Sequence, residues 1–208
     1  MPVDAPLYPV NLILRGRRCL VVGGGEVALR KIEGLLAAEA VVHVVASAIS
    51  PAVKALPVTC EERDYAPGDV RGYWLVVSAT DDPAANRAVF EDGEAAGVWV
   101  NSADDPANCS VTLPAVSRRG PVVVAVSTGG HSPALSSWLR RRMDDELGPE
   151  YEVLVRLLSD AREAVRAAGR STEDLDWQNA LDSGMLELIR AGQVEQARER
   201  LQACLSSS

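Results

Sequence analysis

The segment Cys19 to Leu36, CLVVGGGEVALRKIEGLL, constrains the fold of this chain most, because a short apolar run breaks on three consecutive glycines and resumes at once with helical spacing. A strand that turns directly into a helix through glycine is the phosphate-cradling turn of a nucleotide-binding α/β unit. Read as G-x-G-x-x-A, the motif uses Gly23, Gly25 and Ala28. Gly23 permits the sharp turn, Gly25 lets backbone N–H groups approach a pyrophosphate with no Cβ in the way, and Ala28 lets the helix pack closely on the strand. The positive end of the helix dipole then faces the phosphates. The flanks supply the context that a lone glycine run lacks, a β-like run from Arg18 to Val22 and a helix-like run from Val27 to Ala38.

Downstream, Ala40 to Ala46 is a β-branched run that predicts a buried second strand, followed by a Ser-Ile-Ser-Pro loop opening a short helix. Strand-like runs recur at Val58 to Arg63, Tyr73 to Ser78 and Gly97 to Asn101, with a helix over Pro83 to Ala96 that has Asp82 as N-cap. This alternation predicts an α/β fold, a Rossmann-like parallel sheet with right-handed crossovers. From Cys109 the pattern changes. CSVTLPAVS and PVVVAVS read as strands joined by a hairpin-like Arg118-Arg119-Gly120-Pro121, and the helix PALSSWLRRRMDDEL follows Ser132-Pro133. Beyond Pro149 the spacing is helical throughout. The expected organisation is a Rossmann domain over 1–112, a small α+β dimerisation domain over 113–148 and a C-terminal helical domain over 149–208.

The net charge of −8 argues against general nucleic-acid binding, which depends on neutralising phosphates. No run is apolar for long enough to span a bilayer, and MPVDAPLYPV lacks the order of a signal peptide, so a soluble, cytoplasmic protein is expected. Four scattered cysteines without C-x-x-C spacing argue against disulfides or a zinc cluster, and the two histidines, His43 and His131, assemble no metal site.

In an open parallel sheet, ligands bind beyond the carboxyl ends of the strands. That rule selects the turn Gly23, Gly24, Gly25, Glu26 and Val27, then Ala79 and Thr80, then Asn101 and Asp104. Ala79 and Thr80 are small enough for a nicotinamide to lie across the strand end, though a tight strand-to-helix turn accounts for them equally well. A carboxylate at Asp104 over a nicotinamide could accept a proton while the cofactor accepts a hydride, although Asp-Asp-Pro is also an ordinary turn signal. The acid expected about twenty residues after the glycines, which holds a ribose 2′-hydroxyl, is missing, and Ser47 stands there instead. No arginine stands there for a 2′-phosphate, which favours NAD over NADP. Ser127, Thr128, Gly129, Gly130, His131 and Ser132 precede a helix and form a second candidate anion site. With Arg118, Arg119 and Arg140 to Arg142 nearby in sequence, this concentration suits a substrate rich in carboxylates or phosphates; a solvated helix face is the plainer reading of the arginine run.

Several ordered motifs resemble the precorrin-2 dehydrogenase family, which includes the N-terminal part of siroheme synthase and the stand-alone dehydrogenases and ferrochelatases of siroheme synthesis. YPVNLILRGRRCLVVGGGEVALRK is similar to the family's opening, LVVSATDD to its fourth-strand motif, VNSADDP to N-x-x-D-x-P, and VAVSTGGHSP to S-x-G-G-x-S-P. The similarity runs from Tyr8 to Leu147. It implies oxidation of precorrin-2 to sirohydrochlorin with NAD⁺ as hydride acceptor, and leaves open insertion of Fe²⁺ to give siroheme. Asp104 falls on the family's catalytic carboxylate. The resemblance also implies cofactor contacts at Glu26, Val27, Ser47 and Ala48, a polycarboxylate tetrapyrrole facing the Ser127 to Ser132 loop, and a homodimer. Asp105 departs from the small neutral residue common in relatives, and its charge beside Asp104 would raise that group's pKa. The helices beyond Gly148 match poorly, and with no methyltransferase domain following, another protein is expected to supply precorrin-2. The competing reading is a non-catalytic NAD-sensing module, which would need the glycine turn but neither a reactive carboxylate nor a polyanion site.

Overall fold

The structure, a computed structural model, describes residues 6–103 and 105–206. Asp104 therefore lies outside the described residues. The first half forms a five-stranded parallel sheet in the order β3-β2-β1-β4-β5, built from β1 (Arg18–Val22), β2 (Val41–Ala46), β3 (Thr59–Glu62), β4 (Leu75–Ser78) and β5 (Trp99–Ser102). Helix α1 (Glu26–Ala37) and the short α2 (Pro51–Lys54) follow β1 and β2, and α3 (Pro83–Ala96) follows β4.

Alternation along each strand feeds two cores. Cys19, Val21, Val42, Val44, Leu75 and Val77 pack with Ala28, Ile32 and Leu35 of α1 and Val53 of α2. Leu20, Val22, Val45, Val76 and Val100 pack with Val89 of α3, Val70 and Tyr73 on the other face. A strand covered on both sides reads as a continuous apolar run, which is why β1 and β4 are legible as LVV and LVVS. Each valine or leucine so buried contributes about 1.5–3 kcal/mol. Helix α3 has the predicted bounds because its ends are chemically marked. The Asp82 carboxylate accepts the Ala84 N–H at 2.8 Å, Pro83 occupies the first turn, and Gly97 closes the helix at φ +66°.

Contacts divide the chain into two compact units, one holding the described residues through Leu113 together with Thr128–Ser132, the other holding Pro114–Ser127 and the residues from Pro133 on. In the second unit β6 (Ala115–Arg119) and β7 (Val122–Val126) form an antiparallel hairpin turning at Gly120, φ +53°. Helix α4 (Pro133–Glu146) packs on that hairpin. Helices α5 (Glu150–Ala167), α6 (Trp177–Asp182), α7 (Met185–Arg190) and α8 (Val194–Ser206) share a separate core around Leu157, Met185, Ala197 and Leu201.

The strand-like reading of CSVTLPAVS holds only from Ala115. Ser110 and Val111 instead donate their N–H groups to the Val100 carbonyl, at 2.9 and 3.1 Å. Pro114, which has no N–H to give a ladder, separates this fold-back from β6. Among the described residues no helix is long and apolar enough to cross a membrane.

Candidate dinucleotide-binding site

The strand order reverses between β1 and β4, with α1 on one face and α3 on the other, so a crevice opens beyond their carboxyl ends. The glycines occupy it in different ways. A Cβ on Gly23, whose φ is +127°, would lie 2.2 Å from the Ala79 carbonyl oxygen, and the Gly23 N–H bonds the Val45 carbonyl at 2.9 Å. One on Gly24 would lie 2.2 Å from the Ala48 carbonyl oxygen. These two glycines are required by the approach of backbone to backbone. Gly25 is different: nothing lies within 4 Å of an added Cβ, the residue is exposed, and it caps α1 with no side-chain hydrogen bond. Glu26 is exposed and Val27 half-buried. An open glycine at the start of a 12-residue helix, whose first-turn N–H groups have no intrahelical partner, fits a pyrophosphate.

Ser47 and Ala48, just past β2, are exposed. The cations on the neighbouring edge are engaged. Lys54 pairs with Glu62 at 2.7 Å, and Arg63 pairs with Glu61 at 2.8 Å and Asp69 at 2.6 Å. The Arg63 hydrogen bond holds the Glu61 carboxyl below its usual range, and Lys54 does the same for Glu62. Neither cation is left to greet a ribose 2′-phosphate.

At the end of β4, Ala79 donates its N–H to the Val22 carbonyl at 2.7 Å, joining the two switch-point strands. The Thr80 hydroxyl is 2.8 Å from Asn86 Oδ1 and accepts the Asp82 N–H at 3.2 Å, while Asn86 Nδ2 donates to the Thr80 carbonyl at 2.9 Å. Ser78 Oγ also bonds Asn86. The buried Asn86 thus shapes this turn and was missed in the sequence, where only its lone polarity on the packed face of α3 could have marked it.

Asn101 is 7 % exposed and donates Nδ2 to the Val111 carbonyl at 2.9 Å, so its amide already has structural work. Ser102 donates its N–H to Cys109 Sγ at 3.1 Å, and Ala103 donates to the Ser78 carbonyl at 2.7 Å. Cys109 is therefore a hydrogen-bonding residue on a loop, where the sequence pattern placed it in a strand-like run. Ser102 Oγ is buried and has no hydrogen-bond partner among the described residues.

In the Ser127 to Ser132 segment, Ser127 falls in the second unit and Thr128–Ser132 in the first. Thr128 Oγ1 accepts the Ser132 N–H at 3.1 Å, the His131 N–H bonds the Thr128 carbonyl at 3.0 Å, and Gly129 and Gly130 take φ of +58° and +79°. The His131 side chain is exposed. Of the arginines, Arg119 donates to the Asp144 carbonyl at 3.0 Å, Arg140 pairs with the Asp144 carboxylate, and Arg142 lies 4.9 Å over the Trp138 ring. His43 faces the Tyr73 hydroxyl through Nδ1, and its Nε2 is 3.0 Å from Glu61 but poorly aligned for a hydrogen bond. Among the described residues no group of three His, Cys, Asp or Glu side chains is placed to hold a metal.

Comparison with known proteins agrees with this geometry. The model of the family described as "Putative NAD(P)-binding" matches residues 10–115, just over half of the chain, and that of the "Sirohaem biosynthesis protein central" family matches 119–146. Siroheme synthases of Nitrosococcus oceani and Chromobacterium violaceum are 36% and 38% identical over 203 and 204 residues, covering 95% and 94% of this chain and 43% of each relative. The chain thus spans less than half the length of these relatives. A solved structure described as SirC, precorrin-2 dehydrogenase, superposes with a TM-score of 0.70 at 24% identity, covering 97% of this chain and all of that one, which establishes a shared fold. The open glycine turn at the β1/β4 crevice and the match over residues 10–115 together place this chain in the NAD(P)-binding family that they describe.

Proposed function

We propose that this chain catalyses the NAD⁺-dependent dehydrogenation of precorrin-2 to sirohydrochlorin in siroheme synthesis. The observation that carries the reading is the similarity to siroheme synthases across 95% of the chain, both units included. The ion-paired Lys54 and Arg63 support NAD⁺ over NADP⁺.

Gly25, Glu26 and Val27 offer backbone N–H groups to the pyrophosphate, with Gly23 and Gly24 setting the turn. Ser47 and Ala48 border the ribose, and Ala79, Thr80 and Asn101 border the nicotinamide end. When bound there, NAD⁺ supplies the hydride acceptor. Asp104 acts as general base: it takes one hydrogen of the substrate as a proton while the other leaves with the bonding pair, and a carbon–carbon double bond forms. Ser127 to Ser132 receive the substrate carboxylates through hydroxyls and backbone N–H groups. For Fe²⁺ insertion, the macrocycle nitrogens would provide the ligands and Asp104 would take the pyrrole protons. Val123, Leu135 and Trp138, all exposed in the second unit, suit burial in a homodimer. No disulfide among the described residues suits the cytoplasm.

The test supplies purified protein with precorrin-2, with and without NAD⁺ or NADP⁺, and then sirohydrochlorin with Fe²⁺, following absorbance spectra. Sirohydrochlorin should form faster with NAD⁺, and no acceleration overturns the reading. Asp104→Ala should cut turnover by about 10²–10⁴-fold with NAD⁺ binding nearly intact.

A further inference from the structure

After β5 the chain folds back on the strand it has just left, and side chains tie the fold-back. Cys109 is at its centre. Its sulfur accepts the Ser102 N–H at 3.1 Å and lies 3.3 Å from the Ser102 carbonyl and 3.4 Å from the Asp105 carbonyl, so one S–H serves two acceptors. Asn101 Nδ2 is 3.7 Å from the same sulfur and 2.9 Å from the Val111 carbonyl. Asn108 Nδ2 donates to Asp105 Oδ2 at 2.6 Å. The residues held in this way, Ser102 on one side and Asp105 on the other, bracket position 104 in the sequence. Burial is the main cause that raises the Cys109 thiol above its ordinary pKa, with the Ser102 N–H opposing it. The thiol therefore keeps its proton and remains a donor.

We propose that Cys109, supported by Asn101 and Asn108, is a positioning clasp that fixes the loop carrying Asp104. The proposal rests on the reading of Asp104 as general base. A base must sit within hydrogen-bond reach of the proton it removes, and a misplacement of about 1 Å costs on the order of 10²-fold in rate. A clasp acting through Ser102 and Asp105 restrains the loop from both sides, which a cysteine used only as an apolar filler would not do.

Three variants separate these roles: Cys109→Ala, Cys109→Val, which keeps the apolar filling, and Cys109→Ser, which keeps a donor and an acceptor. Cys109→Ala and Cys109→Val should each lower kcat about 10–100-fold with KM for NAD⁺ within about twofold, whereas Cys109→Ser should return kcat to within about fivefold. The limb of the kcat–pH profile that reports the base should move in the Ala and Val variants and return in the Ser variant. Amide exchange at Ser102 and Asp105 should quicken in the same two variants. Wild-type kcat in Cys109→Val, or losses that follow the melting temperature without rescue by Ser, overturn the clasp. A wild-type protein that fails to oxidise precorrin-2 overturns the function instead, and the exchange rates at Ser102 and Asp105 then still decide the clasp.

Discussion

Two loops at the carboxyl edge of one sheet are held in different ways. The turn after β1 is held by backbone alone: Gly23 and Gly24 admit the Ala79 and Ala48 carbonyls into space where a Cβ would stand at 2.2 Å. The loop after β5 adds side chains to its backbone bonds, the Asn101 amide, the Cys109 thiol and the Asn108 amide. A backbone-built turn tolerates no side chain at its contact points but leaves Gly25 open to a ligand. A side-chain-built loop tolerates most residues locally but depends on particular partners several positions away.

The largest expected effect breaks the first loop. Gly23→Ala combines a left-handed φ with overlap on a backbone oxygen that cannot retreat, and should cost about 3 kcal/mol or more in urea denaturation. Next, Asn101→Ala strips a donor from the half-buried Val111 carbonyl and should cost about 1–2 kcal/mol, measured in the same way. Gly25→Ala sharpens the contrast within a single motif. With nothing within 4 Å of its Cβ, it should change stability by under about 0.5 kcal/mol. A side chain in the pyrophosphate's path should still weaken NAD⁺ binding about tenfold by calorimetry, about 1.4 kcal/mol. An unchanged affinity there would show that the open face is not where the cofactor lies.

The smallest effect concerns β3, at the sheet edge opposite β5. Glu61, Glu62 and Asp69 have folded-state pKa values below their ordinary ones: hydrogen bonds from Arg63 and Lys54 lower the two glutamates, and for Asp69 the bonds from Arg63 and Ala66 outweigh burial. A depressed carboxylate stabilises the fold above its unfolded pKa, and that contribution disappears as pH falls through the lower folded value. Stability should therefore be flat at neutral pH and fall below about pH 4. The pairs are partly exposed, so the loss should be slight, and Glu61→Gln should reduce it further in an acid titration followed by circular dichroism.

Much of the first unit was legible because its signals are local. LVV and LVVS announce strands covered on both faces, Asp82-Pro83 and Gly97 mark the ends of α3, and the glycine run announces a turn that no other residue would permit. The fold-back after β5 was not legible. Cys109 is written as a small apolar residue and Asn101 as a polar strand end, and nothing in the spacing says that one meets Ser102 and the other Val111. Asn86 was hidden for the same reason, since its partners Ser78 and Thr80 lie on a different element.

By itself the sequence determined the parallel α/β plan and the strand-to-helix turn, because continuous apolar runs between helical segments and the absence of a Cβ are properties of residues in order. Only the tertiary structure decided which glycines are filled by backbone and which one stays open, that Lys54 and Arg63 are engaged by carboxylates, and that a thiol ties the loop around position 104. Those outcomes depend on which groups from distant segments arrive within hydrogen-bond distance, and that is set by the packing of the sheet.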